Sequence, residues 1–134
     1  MRLSKAQNLR GHALPLFTMR VPAGIPSPVD DSVEERLDLG PFLVKRPEST
    51  FFVRVEGESM VEASIHPGDL LVVDRSVQPR DNDIVIAIVE GEFTVKMFNC
   101  KPRLRLISCS RKSSVEINRF EVWGVVLWVV HKTR

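Results

Sequence analysis

The chain has 134 residues, of which 43% are hydrophobic and 27% are charged, and its formal net charge is +2. This length fits one domain with a substantial buried core, and this composition excludes an intrinsically disordered chain. The small net charge gives no argument for nucleic-acid binding, and no apolar run reaches the roughly 20 residues that a membrane helix needs. We therefore expect a globular protein that does not enter a membrane.

Residues 1–29 are predicted to form a mobile N-terminal arm, followed by a folded domain over residues 30–134. Four prolines restrict the arm to extended and turn conformations: Pro15, Pro22, Pro26 and Pro28. All charged residues of the arm are basic, which is typical of a solvated tail. A DNA-contacting arm is the alternative, but nothing else in the chain supports it, so no sequence-specific DNA binding is expected.

The rest of the chain is predicted to be mostly β. A helical turn is expected at residues 40–45, with Asp38 as its cap and Pro47 as its end. Runs rich in β-branched and aromatic residues predict six strands, near residues 51–56, 70–74, 84–90, 92–98, 103–108 and 121–131. Glu90-Gly91 is predicted to be a two-residue hairpin turn, and Asn82 is expected to adopt a left-handed conformation in another turn.

Ser59 and Lys96 are the residues that most directly indicate chemistry. Ser59 follows an apolar run in the sequence Gly57-Glu58-Ser59-Met60, and Lys96 lies inside the predicted strand at 92–98. A serine hydroxyl is a weak nucleophile unless a base takes its proton, and a desolvated, neutral lysine can be that base. Alternatively, Ser59 is an ordinary turn serine and Lys96 protects an edge strand from pairing with other molecules. The residues alone do not decide between these interpretations.

The surroundings of both residues favour the catalytic interpretation. Gly57 permits a sharp turn that would present the serine hydroxyl, with the backbone N–H groups of Ser59 and Met60 facing an oxyanion. Such donors contribute about 3 kcal/mol in acyl transfer. Strand alternation places Phe98 on the same face as Lys96, where it could exclude water and lower the lysine pKa.

Ala23-Gly24 is a candidate substrate within the arm. The small side chains of this pair would allow the backbone to approach a serine nucleophile, and an extended segment can add as a strand beside a cleft. A flexible linker is the alternative, since proline and glycine are typical of linkers as well. The arm therefore suggests a serine–lysine protease that acts on its own chain.

Histidines and cysteines give weaker signals. His66 could serve a Ser-His-Asp triad, but it precedes Pro67 in a turn sequence, so a surface turn histidine is favoured. Asp69 is expected to accept hydrogen bonds from the backbone of the same turn. Cys100 and Cys109 lack nearby histidine ligands and a secretion signal, which favours reduced, partly buried thiols. No metal and no cofactor are expected.

Four segments resemble, in order and spacing, the self-cleaving LexA/UmuD serine peptidases. They are Gly57–Met60, Ile65–Asp74, Asp83–Ala87 and Gly91–Lys96. The resemblance covers residues 21–130 and implies a LexA/signal-peptidase-like β domain with an extended N-terminal arm. It also implies that Ser59 is the nucleophile, that Lys96 is the general base and that Ala23-Gly24 is the bond cleaved.

The resemblance further implies a role in the bacterial response to DNA damage. A RecA–single-stranded-DNA filament would promote cleavage, and a cytoplasmic homodimer of residues 24–134 would serve a Y-family, UmuC-like translesion polymerase as accessory subunit. Only 23 residues precede the predicted cut, which disfavours a phage or plasmid repressor with a helix-turn-helix domain. A peptidase acting in trans, and an inactive peptidase fold used for binding, are the remaining alternatives.

Overall fold

A computed structural model of the chain describes residues 3–5, 13–17, 23–26, 28, 33–111 and 115–134. Backbone contacts divide the chain into two compact units, one of Met1–Gln7 with Arg46–Arg134 and one of Asn8–Lys45. The larger unit thus includes residues from the beginning of the predicted arm.

The described residues form ten strands and one short α-helix. The strands are β1 (Leu3–Lys5), β2 (Leu14–Phe17), β3 (Val33–Leu37), β4 (Thr50–Arg54), β5 (Leu70–Asp74), β6 (Ile84–Val89), β7 (Glu92–Asn99), β8 (Arg105–Ile107), β9 (Glu116–Ile117) and β10 (Glu121–Val130). The α-helix is α1 (Leu39–Leu43), and 3₁₀ turns occur at Pro47–Ser49 and Val61–Ala63. The mostly β fold class predicted from the sequence is confirmed.

The larger unit is built on one eight-stranded sheet with the order β1-β4-β5-β10-β6-β7-β8-β9. All neighbouring strands are antiparallel. The long strand β10 lies between β5 and β6, and its register shifts between Val122 and Gly124 and again between Val126 and Trp128. These irregularities bend the central strand, as bulges do.

Hydrophobic side chains cover both faces of this sheet. Ile86 belongs to one buried cluster together with Val53, Leu71 and Met60. Its neighbours along β6, Val85 and Ala87, belong to a second cluster with Phe98, Leu106 and Val125. Since successive side chains of a strand point to opposite faces, β6 contributes to both clusters and lies in the interior of the unit.

The smaller unit contains the β2–β3 hairpin and α1. The guanidinium group of Arg36 donates a hydrogen bond to the Ala13 carbonyl at 2.7 Å. Asp38 is at the N-terminus of α1 as expected, but its side chain makes no capping hydrogen bond. The prediction of a side-chain cap at Asp38 is therefore wrong, although the helical turn itself is present.

All six strands predicted from residue 51 onward are present: the strand at 70–74 has the predicted bounds, and the bounds of the others differ by at most two residues. The predicted turns are confirmed, since φ is 72° at Asn82, 50° at Glu90 and 78° at Gly91. Four strands were not predicted from the sequence, because they are short and carry little alternation: β1, β2, β3 and β9. No helix among the described residues has the length and hydrophobicity to cross a membrane.

Candidate active site

Ser59 lies on a turn that β4 leads into. Gly57 adopts φ of 85°, a left-handed conformation that a residue without Cβ reaches without strain. Met60 is buried in the first core cluster, and the 3₁₀ turn Val61–Ala63 begins directly after it. The turn is thus fixed on one side by strand pairing and on the other by a buried side chain.

Lys96 lies in β7, where it is the antiparallel partner of Val85 in β6. The strand is paired with β6 on one side and β8 on the other, and the lysine is only 8% exposed. A lysine that protects a sheet edge would lie on an outer strand and extend into water. The edge-strand interpretation of Lys96 is therefore wrong.

The fold brings Ser59 and Lys96 into direct contact. The Nζ of Lys96 donates a hydrogen bond to the Oγ of Ser59 at 3.0 Å, and to the backbone carbonyl of Val95 at 3.2 Å. Burial lowers the pKa of Lys96 below its usual value of 10.5, although the nearby Cys109 acts in the opposite direction when it is ionised. A lysine that loses its proton more readily is suited to accept one from the serine.

Cys109 is a component of the site that the sequence analysis missed. Its N–H donates to the Ser59 carbonyl at 2.9 Å, and its own carbonyl accepts from the Glu62 N–H at 2.7 Å. Burial raises the pKa of the Cys109 thiol, while the charge of Lys96 lowers it to a smaller extent. The segment around Cys109 is therefore hydrogen-bonded to the serine turn, and the Cys109 thiol lies near the Lys96 amine.

No sequence signal pointed to this role, because Cys109 follows a three-residue strand and reaches Ser59 only through the fold. The prediction that Cys100 and Cys109 are free and partly buried is confirmed. Phe98, expected to shield Lys96, packs in the second cluster with its ring edge-on to Phe120.

A cleft of about 230 Å³ opens beside Ser59. Its walls come from the serine turn and the first half of β7: Val55, Glu56, Gly57, Ser59, Met60, Phe93, Thr94 and Val95. The hydrogen bonds between described residues leave the N–H groups of Ser59 and Met60 without an acceptor. Two free donors next to a nucleophile are the arrangement that stabilises an oxyanion.

The predicted cleavage site lies in the smaller unit. Residues 23–26 are exposed, and a Cβ added at Gly24 would meet no atom within 4 Å. Ile25, directly after the pair, is 87% exposed. The Ala23-Gly24 peptide bond is thus accessible to a protease.

The histidines do not form a triad with Ser59 in the part of the chain that the structure describes. Asp69 accepts a hydrogen bond from the His66 N–H at 2.9 Å, as expected for a turn aspartate. It also contacts His131, with 2.6 Å between the Asp69 Oδ1 and the His131 Nδ1. The partner of the Ser59 hydroxyl is Lys96 instead.

Comparison with known proteins places the chain in a family. Residues 15–127 match the Peptidase S24-like family. Protein SamA of Salmonella typhimurium is 48% identical over 121 residues, which are 90% of this chain and 86% of the relative. Protein ImpA of Escherichia coli is 46% identical over 123 residues, covering 90% and 85% of the two chains.

Protein MucA of Escherichia coli is 38% identical over 122 residues, which are 87% of this chain and 84% of the relative. These matches cover more than four fifths of this chain and of each relative, so they are not confined to an isolated motif. The chain belongs to the S24-like family and is a self-cleaving-type serine peptidase of SOS mutagenesis, as its four sequence segments predicted.

Proposed function

We propose that Ser59 is the nucleophile and Lys96 the general base of a peptidase that cuts its own Ala23-Gly24 bond. The observation that carries this proposal is the 3.0 Å contact between the Ser59 Oγ and the Nζ of a lysine that is only 8% exposed. Burial makes the neutral form of this lysine accessible, and only the neutral amine can take the serine proton.

The proposed reaction has two stages, acylation of Ser59 and hydrolysis of the ester. Neutral Lys96 accepts the hydroxyl proton while the Ser59 Oγ bonds to the carbonyl carbon of Ala23, and the free N–H groups of Ser59 and Met60 hold the resulting oxyanion. When the intermediate collapses, the bond to Gly24 breaks and Lys96 returns the proton to the amine that leaves. Water hydrolyses the ester between Ser59 and Ala23, with Lys96 again as base.

Self-cleavage is supported by the attachment of the substrate to the enzyme. A tethered segment reaches effective concentrations up to about millimolar, so no binding pocket for a separate substrate is needed. The cleft of about 230 Å³ is open and lined in part by backbone, which suits an extended segment with small side chains. Glycine at position 24 removes a side chain that would obstruct the approach of the carbonyl.

Cleavage acts as a switch in this proposal, promoted by a RecA–single-stranded-DNA filament as the family resemblance implies. The fragment 1–23 contains β1, which pairs with β4 through Leu3 opposite Val53 and Lys5 opposite Phe51. Removal of this fragment would leave the edge of β4 unpaired and open to a new partner. The cut would therefore change the surface of the larger unit as well as the length of the chain.

The partner proposed for the cleaved protein is a Y-family, UmuC-like DNA polymerase, in the bacterial cytoplasm. Support comes from the family and from its SamA, ImpA and MucA relatives. Because a switch changes affinity only through differential binding, residues 24–134 should bind the polymerase more tightly than uncut Ser59→Ala protein. Equal binding and equal lesion bypass by the two forms would show that cleavage is not the switch.

A homodimer is also part of the proposal. Four consecutive residues at the end of β10 are apolar and about 40% exposed: Leu127, Trp128, Val129 and Val130. A twofold interface would cover such a surface on both copies at once. Light scattering at tens of micromolar should give the mass of a dimer, and a monomer would count against this assignment.

Substitution of each dyad residue tests the mechanism. Ser59→Ala and Lys96→Met should each abolish cleavage while retaining the fold, because neither residue alone provides an activated nucleophile. Ser108→Ala is a matched control, since the buried Ser108 hydroxyl has no partner among the described residues. Lys101→Met, which removes an exposed lysine, is the second control.

Both controls should be cut at the rate of the unaltered protein, as measured by gel electrophoresis. Circular dichroism checks that every variant retains the fold. Cleavage that persists in folded Lys96→Met would exclude lysine as the base. Cleavage that persists in Ser59→Ala would exclude Ser59 as the nucleophile.

A further inference from the structure

A cluster of two histidines and one aspartate lies outside the proposed catalytic machinery, within the larger unit. β5 and β10 pair up to Leu70 opposite Val130, so the next residues, Asp69 and His131, face each other. His66 reaches the same place through its turn, in which the Asp69 N–H donates to the His66 carbonyl at 3.1 Å. Strand register and turn geometry thus hold three ligand-type side chains together.

The distances within this cluster are short. The His131 Nδ1 is 2.6 Å from the Asp69 Oδ1, and the His66 Nδ1 is 3.9 Å from the Asp69 Oδ2. The ring centroids of the two histidines are 5.3 Å apart, and one ligand atom from each of the three residues lies within 4.8 Å of the others. Each histidine side chain is about half exposed, whereas Asp69 is 2% exposed.

The Asp69 carboxylate is held in place by its neighbours. Its Oδ2 accepts a hydrogen bond from the His66 N–H at 2.9 Å, and its Oδ1 lies 2.6 Å from the His131 Nδ1. The two imidazoles beside it can rotate, because their outer faces are in solvent.

We propose that His66, Asp69 and His131 form a binding site for one zinc-type divalent transition-metal ion. Two imidazole nitrogens and one carboxylate oxygen are a donor set that zinc takes in proteins, with a fourth position left for water. Magnesium and calcium prefer oxygen ligands, so a site with two imidazole nitrogens is not expected to bind them.

The geometry requires only a small adjustment to accept the ion. Ligand atoms around tetrahedral zinc are about 3.3 Å apart, given metal–ligand bonds of about 2.0 Å. The His131 Nδ1 lies 2.6 Å from the Asp69 Oδ1, closer than that value, and the His66 Nδ1 lies 3.9 Å from the other oxygen, Oδ2, farther than that value. Rotation of the half-exposed imidazoles supplies the difference, while the buried aspartate stays in place.

This site departs from the expectation of no metal drawn from the sequence. His131 is 62 residues from Asp69 along the chain, and only the β5–β10 register brings them together. The same turn also supports the proposed active site, since the Val55 N–H donates to the Asp69 carbonyl at 2.9 Å and Val55 lines the cleft. A bound ion would link His131, at the end of β10, to the turn that contains His66 and Asp69.

Calorimetric titration of the tag-free full-length protein with Zn²⁺ tests the proposal, with Co²⁺ absorption as a spectroscopic check. We expect one ion per chain and a higher melting temperature in its presence. His66→Gln and His131→Gln should each weaken binding at least about tenfold. His12→Gln, which changes the remaining histidine, should bind as the unaltered protein does.

Several results would overturn the proposal. These are a lack of saturable binding at micromolar protein, equal binding by all three variants, and half an ion per chain. A thiolate-to-cobalt band in the near ultraviolet would assign the metal to a cysteine and would overturn it too. If His131→Gln fails to fold, His66→Gln decides, because His66 is a half-exposed turn residue whose loss leaves the strands paired.

Discussion

The rate of self-cleavage should rise with pH, because the base of the proposed mechanism is a lysine. Burial lowers the pKa of Lys96 below 10.5, and the amine can accept the Ser59 proton only in its neutral form. Below the pKa of Lys96 in the folded protein, each pH unit changes the fraction of neutral Lys96 about tenfold, which corresponds to about 1.4 kcal/mol in the apparent activation free energy of cleavage. The logarithm of the rate should therefore rise with a slope near one and level off below pH 10.5.

The same pKa shift predicts a dependence of stability on pH. The folded state disfavours the charged lysine, so it releases the Lys96 proton at a lower pH than the unfolded state does. Stability of the unaltered protein should then increase as pH rises from the folded pKa towards the unfolded value of 10.5. Lys96→Met has no buried charge at this position, so its free energy of unfolding lacks this pH dependence. The variant should exceed the unaltered protein in stability by the largest amount at low pH, where Lys96 is charged.

The two quantities are measured on matched proteins, cleavage on the unaltered chain and stability on variants that do not cleave. Cleavage is followed by gel densitometry across a series of buffers at constant ionic strength, and stability by urea denaturation of Ser59→Ala and of Ser59→Ala/Lys96→Met, neither of which should cleave. A rate that does not change with pH would refute lysine as the base.

Two glycines give further predictions. Gly24→Glu should block cleavage without loss of stability, because a side chain at position 24 has space but would obstruct the approach of the Ala23 carbonyl to Ser59. Ser59 of this variant should still react with a small acylating reagent. Cleavage at the unaltered rate would place the cut elsewhere. Gly124→Ala should lower the free energy of unfolding by about 1–3 kcal/mol, because the added Cβ would lie 2.6 Å from the Val73 Cγ1. Gly24→Ala, where the Cβ meets nothing within 4 Å, is the control in urea denaturation.

The sequence was sufficient to predict the strands of the larger unit from β4 onward, apart from β9. These strands carry runs of valine, isoleucine and phenylalanine, and glycine or asparagine at positive φ marks turns between them. The approach of Ser59 to Lys96 was expected from the motifs, and the 3.0 Å contact agrees with that expectation. Their catalytic roles stay a proposal until the substitutions are made.

The sequence was not sufficient where contacts depend on the register of distant strands. Cys109 meets the serine turn, and His131 meets Asp69, only because the sheet is assembled. The pairing of β1 with β4 was missed for a similar reason, since three residues carry no period that indicates a strand. Asp38 shows the opposite error, because a suitable residue at a helix start formed no capping hydrogen bond.

The proposed mechanism requires the chain to cut its own Ala23-Gly24 bond with Ser59. The decisive experiment is intact mass spectrometry of the purified protein after incubation at alkaline pH, with Ser59→Ala incubated in parallel. We expect two fragments, residues 1–23 and residues 24–134, from the unaltered protein and none from the variant. Fragments that end at another bond, the same fragments from Ser59→Ala, or an intact chain even with a RecA–single-stranded-DNA filament present would contradict it.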